Sequence, residues 1–186
     1  HKYELGIPLE HLARHITKSV GFEINKENLS NYMAKVGNIL DPIFARMKED
    51  LLNNGSKVIH SDETTLVVTK RDEENKGRKT SYVYVYTSSY YDEKQIRIYD
   101  FHESRSIDET SKWLKNYEGV IECDNYSGYN KLKVENTKIK LQKCWAHVRR
   151  RYADILKNLN EKQKKSSKAY LILKEIGKLF DYEKQY

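Results

Sequence analysis

The stretch Val58-Ile-His-Ser-Asp-Glu-Thr-Thr-Leu-Val-Val68 (VIHSDETTLVV) reads as a strand by its β-branched content, yet it carries an Asp and a Glu at its centre. A buried carboxylate without a partner is costly and takes up a proton instead. Asp62 therefore calls for a partner from elsewhere in the chain.

The sequence downstream supplies one. KTSYVYVYTSS (79–89) alternates strictly, with Tyr82, Tyr84 and Tyr86 on one face and Val83 and Val85 on the other, and QIRIYDF (95–101) makes a third strand. The charged RDEENKGRK (71–79) between the first two strands reads as a hairpin loop. A helix is expected from about Ile107 to Asn116, with Ser106 or Asp108 as its cap. A fourth strand, Gly119 to Asp124, runs into NYSGYN (125–130), whose Gly128 and Asn residues signal a turn. IKLQKCW (139–145) is the fifth strand, and two long helices fill 146–159 and 164–184. Three antiparallel strands, a helix, a fourth strand, a short connection, a fifth strand and then helices is the order of an α/β, ribonuclease H-like mixed sheet with flanking helices. In that sheet the first and fourth strands are neighbours, so Asp62 and Asp124 meet at its end.

The N-terminal part has a different texture. Leu9 to about Val20 is helical in pattern, Gly21 breaks it, and a second helix from Asn25-Lys26-Glu27 keeps Leu29, Tyr32, Met33, Val36 and Leu40 on one face. Asp41-Pro42 is expected to interrupt it before a further helix, IFARMKEDLL (43–52). Residues 1–55 thus form a helical segment, compatible with a DNA-reading helix-turn-helix and equally with any helical hairpin.

Composition narrows the classes. With 186 residues, 38% hydrophobic and 33% charged, the chain is long enough for a folded core and too rich in aromatics for a disordered one. No apolar run reaches the roughly 18 residues of a membrane span, so a cytoplasmic protein, nucleoid-associated when bound to DNA, is expected. Two cysteines, Cys123 and Cys144, do not make a disulfide framework, and Cys144-x-x-His147 lacks the second pair a structural zinc site needs. The net charge of +7 is concentrated: residues 131–186 hold 16 Lys/Arg against 6 Asp/Glu. Such a basic surface suits phosphates, although Lys157 to Lys168 reads better as a solvated helix face.

Two carboxylates aimed at one point make a hard, oxygen-rich site for Mg²⁺ or Mn²⁺. Two such ions roughly 3.5–4 Å apart activate a nucleophilic oxygen and stabilise the leaving one in attack on a phosphodiester. Taken singly, Asp62 is equally a strand Asp bonded to local backbone, and Asp124 an Asx turn.

HSDET (60–64), YVYVY (82–86), SRS (104–106), CDNYSGYN (123–130) and CWAHVRRRY (144–152) together resemble, in order and spacing, the DDE-type transposases of the insertion-sequence-66 family. The opening IPLEHLARHI…GFEINKENLSNYM is similar to the helical segment that precedes the catalytic core there. The resemblance implies a catalytic core over 56–152, the start of a helical insertion over 153–186, and strand cleavage and joining at transposon ends by two Asp and one Glu holding two Mg²⁺ or Mn²⁺ ions. Asp62 takes the first acidic role and Asp124 the second. The family's third acid lies in an Asn-Asn-x-x-Glu-Arg-like motif that does not occur here. Glu183 is the late helical Glu in an apolar setting, but it better matches a Tyr-x-x-Glu stretch inside the insertion. The expectation is therefore a middle fragment that stops before the third carboxylate and is inactive or weakly metal-binding on its own. The implied partners are transposon-end and target DNA, a second copy of the chain or more on DNA, and accessory proteins of the same element.

Glu63 points to the opposite face of the strand from Asp62 and is read as solvent-facing or bonded to a neighbouring helix. His60 shares the face of Asp62 and has two readings, a packed strand histidine, which is preferred, and a substrate contact. Arg105 has two readings, a phosphate contact and an ordinary loop arginine. His147, Arg149 and Arg150 follow the fifth strand near the active-site end and are candidates for gripping DNA phosphates. Tyr126 and Tyr129 flank Asp124, one or both of them as core residues and otherwise as a stacking surface for a base. Two rival readings stand beside the transposase: a ribonuclease H-like nuclease without strand transfer, and a non-catalytic DNA-binding remnant led by the 9–40 helices.

Overall fold

Local signals are realised at most of the expected boundaries in the computed structural model, which describes residues 5–53, 57–72 and 75–185, and the side chains among these outside 69–78. The chain divides into two compact units, the first ending at Lys48 and the second running from Glu49. In the first unit, helix α1 (Leu9–Val20) stops at Gly21, which takes φ 71° and donates its N–H to the Thr17 carbonyl at 3.0 Å. Only a glycine adopts that left-handed cap without strain. Asn25 opens the next helix by accepting the Asn28 N–H at 2.8 Å.

That helix, α2, runs from Lys26 to Asn53 without a stop and carries Pro42 inside it. The expected interruption at Asp41-Pro42 is therefore corrected. A proline removes a single N–H and crowds one carbonyl, and the helical bonds on both sides of it outweigh that local cost. The last turn of α2 belongs to the second unit, where Leu51 is fully buried.

The second unit is built on five strands: β1 (Val58–Asp72), β2 (Asn75–Ser88), β3 (Arg97–His102), β4 (Gly119–Cys123) and β5 (Ile139–Lys143). Their order in the sheet is β3-β2-β1-β4-β5. β1 is antiparallel to β2 and β2 to β3, whereas β1 is parallel to β4 and β4 to β5. This is the mixed sheet expected of a ribonuclease H-like domain, with the first and fourth strands side by side.

Two local expectations change. Most of the stretch read as a hairpin loop at 71–79 is strand, paired down to Asp72 opposite Asn75; residues 73 and 74 lie outside the described part. Past Tyr82, where pairing to β3 ends, β1 and β2 pair with each other alone among the described residues. Cross-strand backbone hydrogen bonds do not require apolar side chains, so the charged composition does not oppose strand structure. The connection after β4 is likewise more than a turn, because a helix α4 (Gly128–Glu135) forms there and buries Tyr129 and Leu132.

The remaining helices are α3 (Ile107–Trp113), α5 (Trp145–Lys157), α6 (Glu161–Ser166) and α7 (Lys168–Glu183). Ser106 caps α3 through its hydroxyl, which accepts the Asp108 N–H at 3.2 Å. α7 packs along α5.

One face of the sheet makes the core. Ile59 of β1, Tyr84 and Tyr86 of β2, Ile98 of β3, Ile121 of β4 and Ile139 of β5 are buried together with Trp113 and Leu114. Tyr86 and Tyr129 carry polar tips that find partners in this layer, whereas the Tyr84 hydroxyl is buried without one. Tyr86 stacks on Trp113 at a centroid distance of 4.0 Å and donates its hydroxyl to Thr110 at 3.3 Å, and Tyr129 shares a 2.9 Å hydrogen bond with Ser61. At the entry to β4 the chain is close-set: a Cβ on Gly119 would stand 2.7 Å from the Lys57 carbonyl oxygen. That carbonyl already accepts the Val120 N–H at 2.9 Å and cannot move aside freely. Gly119→Ala is expected to destabilise the second unit by about 1–3 kcal/mol, read from urea unfolding midpoints at an unchanged slope.

Candidate active site

The parallel pairing of β1 with β4 sets Val58 beside Val120 and His60 beside Glu122. Two residues further on stand Asp62, within β1, and Asp124, just past the end of β4, so the register carries both to the same end of the sheet. Asp62 is half exposed, and its Oδ1 accepts the Glu63 N–H at 3.0 Å. Asp124 lies just past β4, where its Oδ1 accepts the Tyr126 N–H at 2.7 Å in an Asx turn and its carbonyl accepts Lys143 Nζ at 3.1 Å. The Asx-turn reading of Asp124 and its place at the strand end are thus compatible, because the turn fixes one oxygen and aims the carboxylate.

α5 begins directly after β5, and its first turn brings His147 to this end. His147 Nε2 stands 3.7 Å from Asp62 Oδ1. His147 also borders a cleft of about 560 Å³ whose lining includes Asp124, Lys143, Arg150, Arg151 and Asp154. Asp154, which the sequence pattern did not single out, is held by Lys157 at 2.6 Å.

Glu63 requires a correction. It does face away from Asp62, but its side chain is only 4% exposed, on the face that buries Ile59 and Ser61, and it is ion-paired with Arg105. Arg105 Nε donates to Glu63 Oε1 at 2.8 Å and Nη2 bonds the same oxygen, while Glu63 Oε2 is buried without a hydrogen-bond partner. Burial pushes the Glu63 carboxyl above its usual range against the pull of Arg105, and the charges of Asp124 and Asp62 push the same way. Desolvation works to lower the Arg105 pKa, but Glu63 and then Asp124 carry it above its ordinary value. Alternation alone could have placed Glu63 on the core side, since Tyr84, directly opposite it on β2, is wholly buried.

Arg105 is committed to protein carboxylates: besides Glu63, Asp124 Oδ2 is 3.5 Å from its Nη2. Its guanidinium lies 4.3 Å above the Tyr126 ring, and the Tyr126 hydroxyl donates to the Arg105 carbonyl at 2.9 Å. Tyr126 is half-buried, whereas Tyr129 is fully buried core. His60 is not packed away; it is 42% exposed, with Nδ1 3.5 Å from Glu122. Arg149 and Arg150 are exposed on α5 and border a second cavity of about 550 Å³ shared with α7. Glu183 is exposed in the last turn of α7. No group of three His, Cys, Asp or Glu side chains that could hold a metal ion forms among the described residues, and no described helix is long and apolar enough to cross a membrane.

The family model described as Transposase IS66 family matches residues 1–186. The chain belongs to the IS66 transposase family. Among its curated relatives, the uncharacterized protein y4hP of Sinorhizobium fredii is 26% identical over 99% of this chain and 35% of its own length. The uncharacterized protein y4qI of the same organism is 27% identical over 83% of the chain and 30% of its own length. This IS66-family chain thus spans about a third of the length of these relatives.

Proposed function

We propose that Asp62 and Asp124 are two acidic ligands of a divalent-metal site at which a DNA transposase cleaves transposon ends and joins them to target DNA. The observation that supports this reading most strongly is the parallel pairing of β1 and β4, which delivers two carboxylates 62 residues apart in sequence to one end of the sheet. The donor set fits Mg²⁺ or Mn²⁺. Mg²⁺ is commonly held by one or two carboxylates, with waters and substrate phosphates completing its shell, and both aspartates are accessible enough to offer an oxygen. The concentration of acid is also felt electrostatically, since Asp62 and Asp124 both act on Glu63.

Asp62 and Asp124 would hold the ions. When bound, a metal pair activates the attacking oxygen and stabilises the leaving one on the phosphodiester. The protein's own contribution is orientation. The Asx turn fixes Asp124, and the pairing of β1 with β2, Asp62 opposite Val85, fixes the backbone of Asp62. His147 beside Asp62 donates a hydrogen bond toward a substrate oxygen. Arg150 and Arg151, lining the cleft with Asp124, attract the DNA backbone, and Arg149 extends that basic surface along α5. The third acid belongs to a part of the full-length protein outside this chain, in preference to Glu183. The N-terminal helices, a second protomer and accessory proteins of the element complete the proposed DNA complex.

Arg149→Ala with Arg150→Ala in the full-length protein is expected to weaken binding of arbitrary duplex DNA by about tenfold and to lower the salt slope by about 1–2, as loss of phosphate contacts requires. The measurement is binding anisotropy across a salt series. The reading as a whole is tested by incubating the full-length protein with transposon-end DNA and Mg²⁺. Products joined through 3′-hydroxyl donor ends support a transposase; cleavage without joining points to a nuclease, and binding without cleavage to a remnant.

A further inference from the structure

Glu63 is a buried carboxylate that the metal reading leaves unused, and its partner stands between it and Asp124. One guanidinium is shared unequally by two acids. Glu63 Oε1 receives both Nε, at 2.8 Å, and Nη2, whereas Asp124 Oδ2 lies 3.5 Å from Nη2, outside the 2.7–3.2 Å of a good N–H···O bond. Arg105 is also braced by the Tyr126 ring at 4.3 Å and by the Tyr126 hydroxyl, which donates to its carbonyl. Glu63 itself has little freedom, being on a strand, 4% exposed and facing the core.

A guanidinium and a divalent cation compete for the same carboxylate oxygens. Were Arg105 to close the remaining gap, its fork would bind Asp124 directly and neutralise it. We infer that Glu63 is a positioning residue that holds Arg105 back from Asp124, leaving the Asp124 carboxylate free to take a divalent cation. This rests on the assignment of Asp62 and Asp124 as metal ligands. The chemistry is a competition for one cation: with its charge intact Glu63 retains the guanidinium, and without it Asp124 becomes the nearer anionic partner for Arg105. The unpaired Oε2 of Glu63 fits this role, because the pairing is concentrated on the one oxygen that faces Arg105.

The test is a calorimetric titration of the protein with Mn²⁺, read as affinity and independent of turnover. Glu63→Gln is expected to weaken Mn²⁺ binding by about tenfold, and Arg105→Gln to tighten it several-fold. The double variant is expected to bind like Arg105→Gln, since the effect of Glu63 acts through Arg105. An equal loss from Glu63→Gln in both backgrounds would mean that its charge acts on the metal directly and would overturn the inference, as would no loss in either. If near-ultraviolet circular dichroism shows that Glu63→Gln does not fold, Arg105→Gln decides alone: affinity no higher than that of the parent overturns the inference. Binding that is absent, or that Asp62→Asn and Asp124→Asn leave unchanged, overturns the metal assignment and this inference with it. Binding that Asp124→Asn abolishes and Glu63→Gln does not alter overturns the role of Glu63 alone.

Discussion

Asp124→Asn, and separately Asp62→Asn, are expected to lower strand cleavage by the full-length protein by on the order of 10³-fold or more while duplex binding stays within about twofold of the parent. The size follows from what the substitution removes. An amide keeps the shape and the Asx-turn oxygen that accepts the Tyr126 N–H, but it lacks the charge that holds a divalent ion against its hydration shell. In the proposed site several kcal/mol of transition-state stabilisation would come from that ion, and each 1.36 kcal/mol is a factor of ten in rate. Binding is retained because the basic residues of α5 do not depend on the aspartates. The measurement is single-turnover cleavage of a labelled transposon end at saturating protein, with anisotropy on the same DNA.

Tyr86→Ala is expected to destabilise the second unit by about 3–5 kcal/mol, the range for deleting a buried aromatic. Tyr86 is fully buried and stacked on Trp113, and its hydroxyl, bonded to Thr110, ties the sheet to α3. Removing the ring opens a cavity between β2 and Trp113 and leaves the Thr110 hydroxyl without that partner. Burial also raises the pKa of the Tyr86 phenol well above its ordinary value, so the group stays neutral across the accessible pH range and the loss does not depend on pH. Urea unfolding followed by tryptophan fluorescence measures it, since Trp113 reports directly on the stacked ring.

Much of this site is legible in the sequence because the sheet obeys a period of two and the acids break it. The alternation through Tyr82–Tyr86 and the β-branched run around Asp62 place the strands, and the order of elements then makes β1 and β4 neighbours. Where charge density is taken for a loop, the reading fails: residues 75–79 lie in a strand because the backbone ladder that pairs them with β1 does not require apolar side chains. Pro42 misleads for a related reason, since the rule that prolines end helices describes one hydrogen bond, and α2 has many. The role of Glu63 is half legible. Its face follows from alternation, but its partner is 42 residues away on the loop before α3, and no local pattern reports where that loop returns to the sheet. The sequence holds no motif for the proposed third acid, and the chain covers about a third of its relatives' length.

Asp62 and Asp124 are proposed to hold a shared divalent ion at the end of the sheet. Crystals of the protein soaked in Mn²⁺, with data collected at the manganese absorption edge, test it most directly. The expected result is an anomalous peak with Asp62 and Asp124 oxygens within the 2.0–2.6 Å range of hard-cation ligation. Carboxylates standing more than about 8 Å apart, too far to share an ion at those distances, or manganese bound only elsewhere, would contradict it.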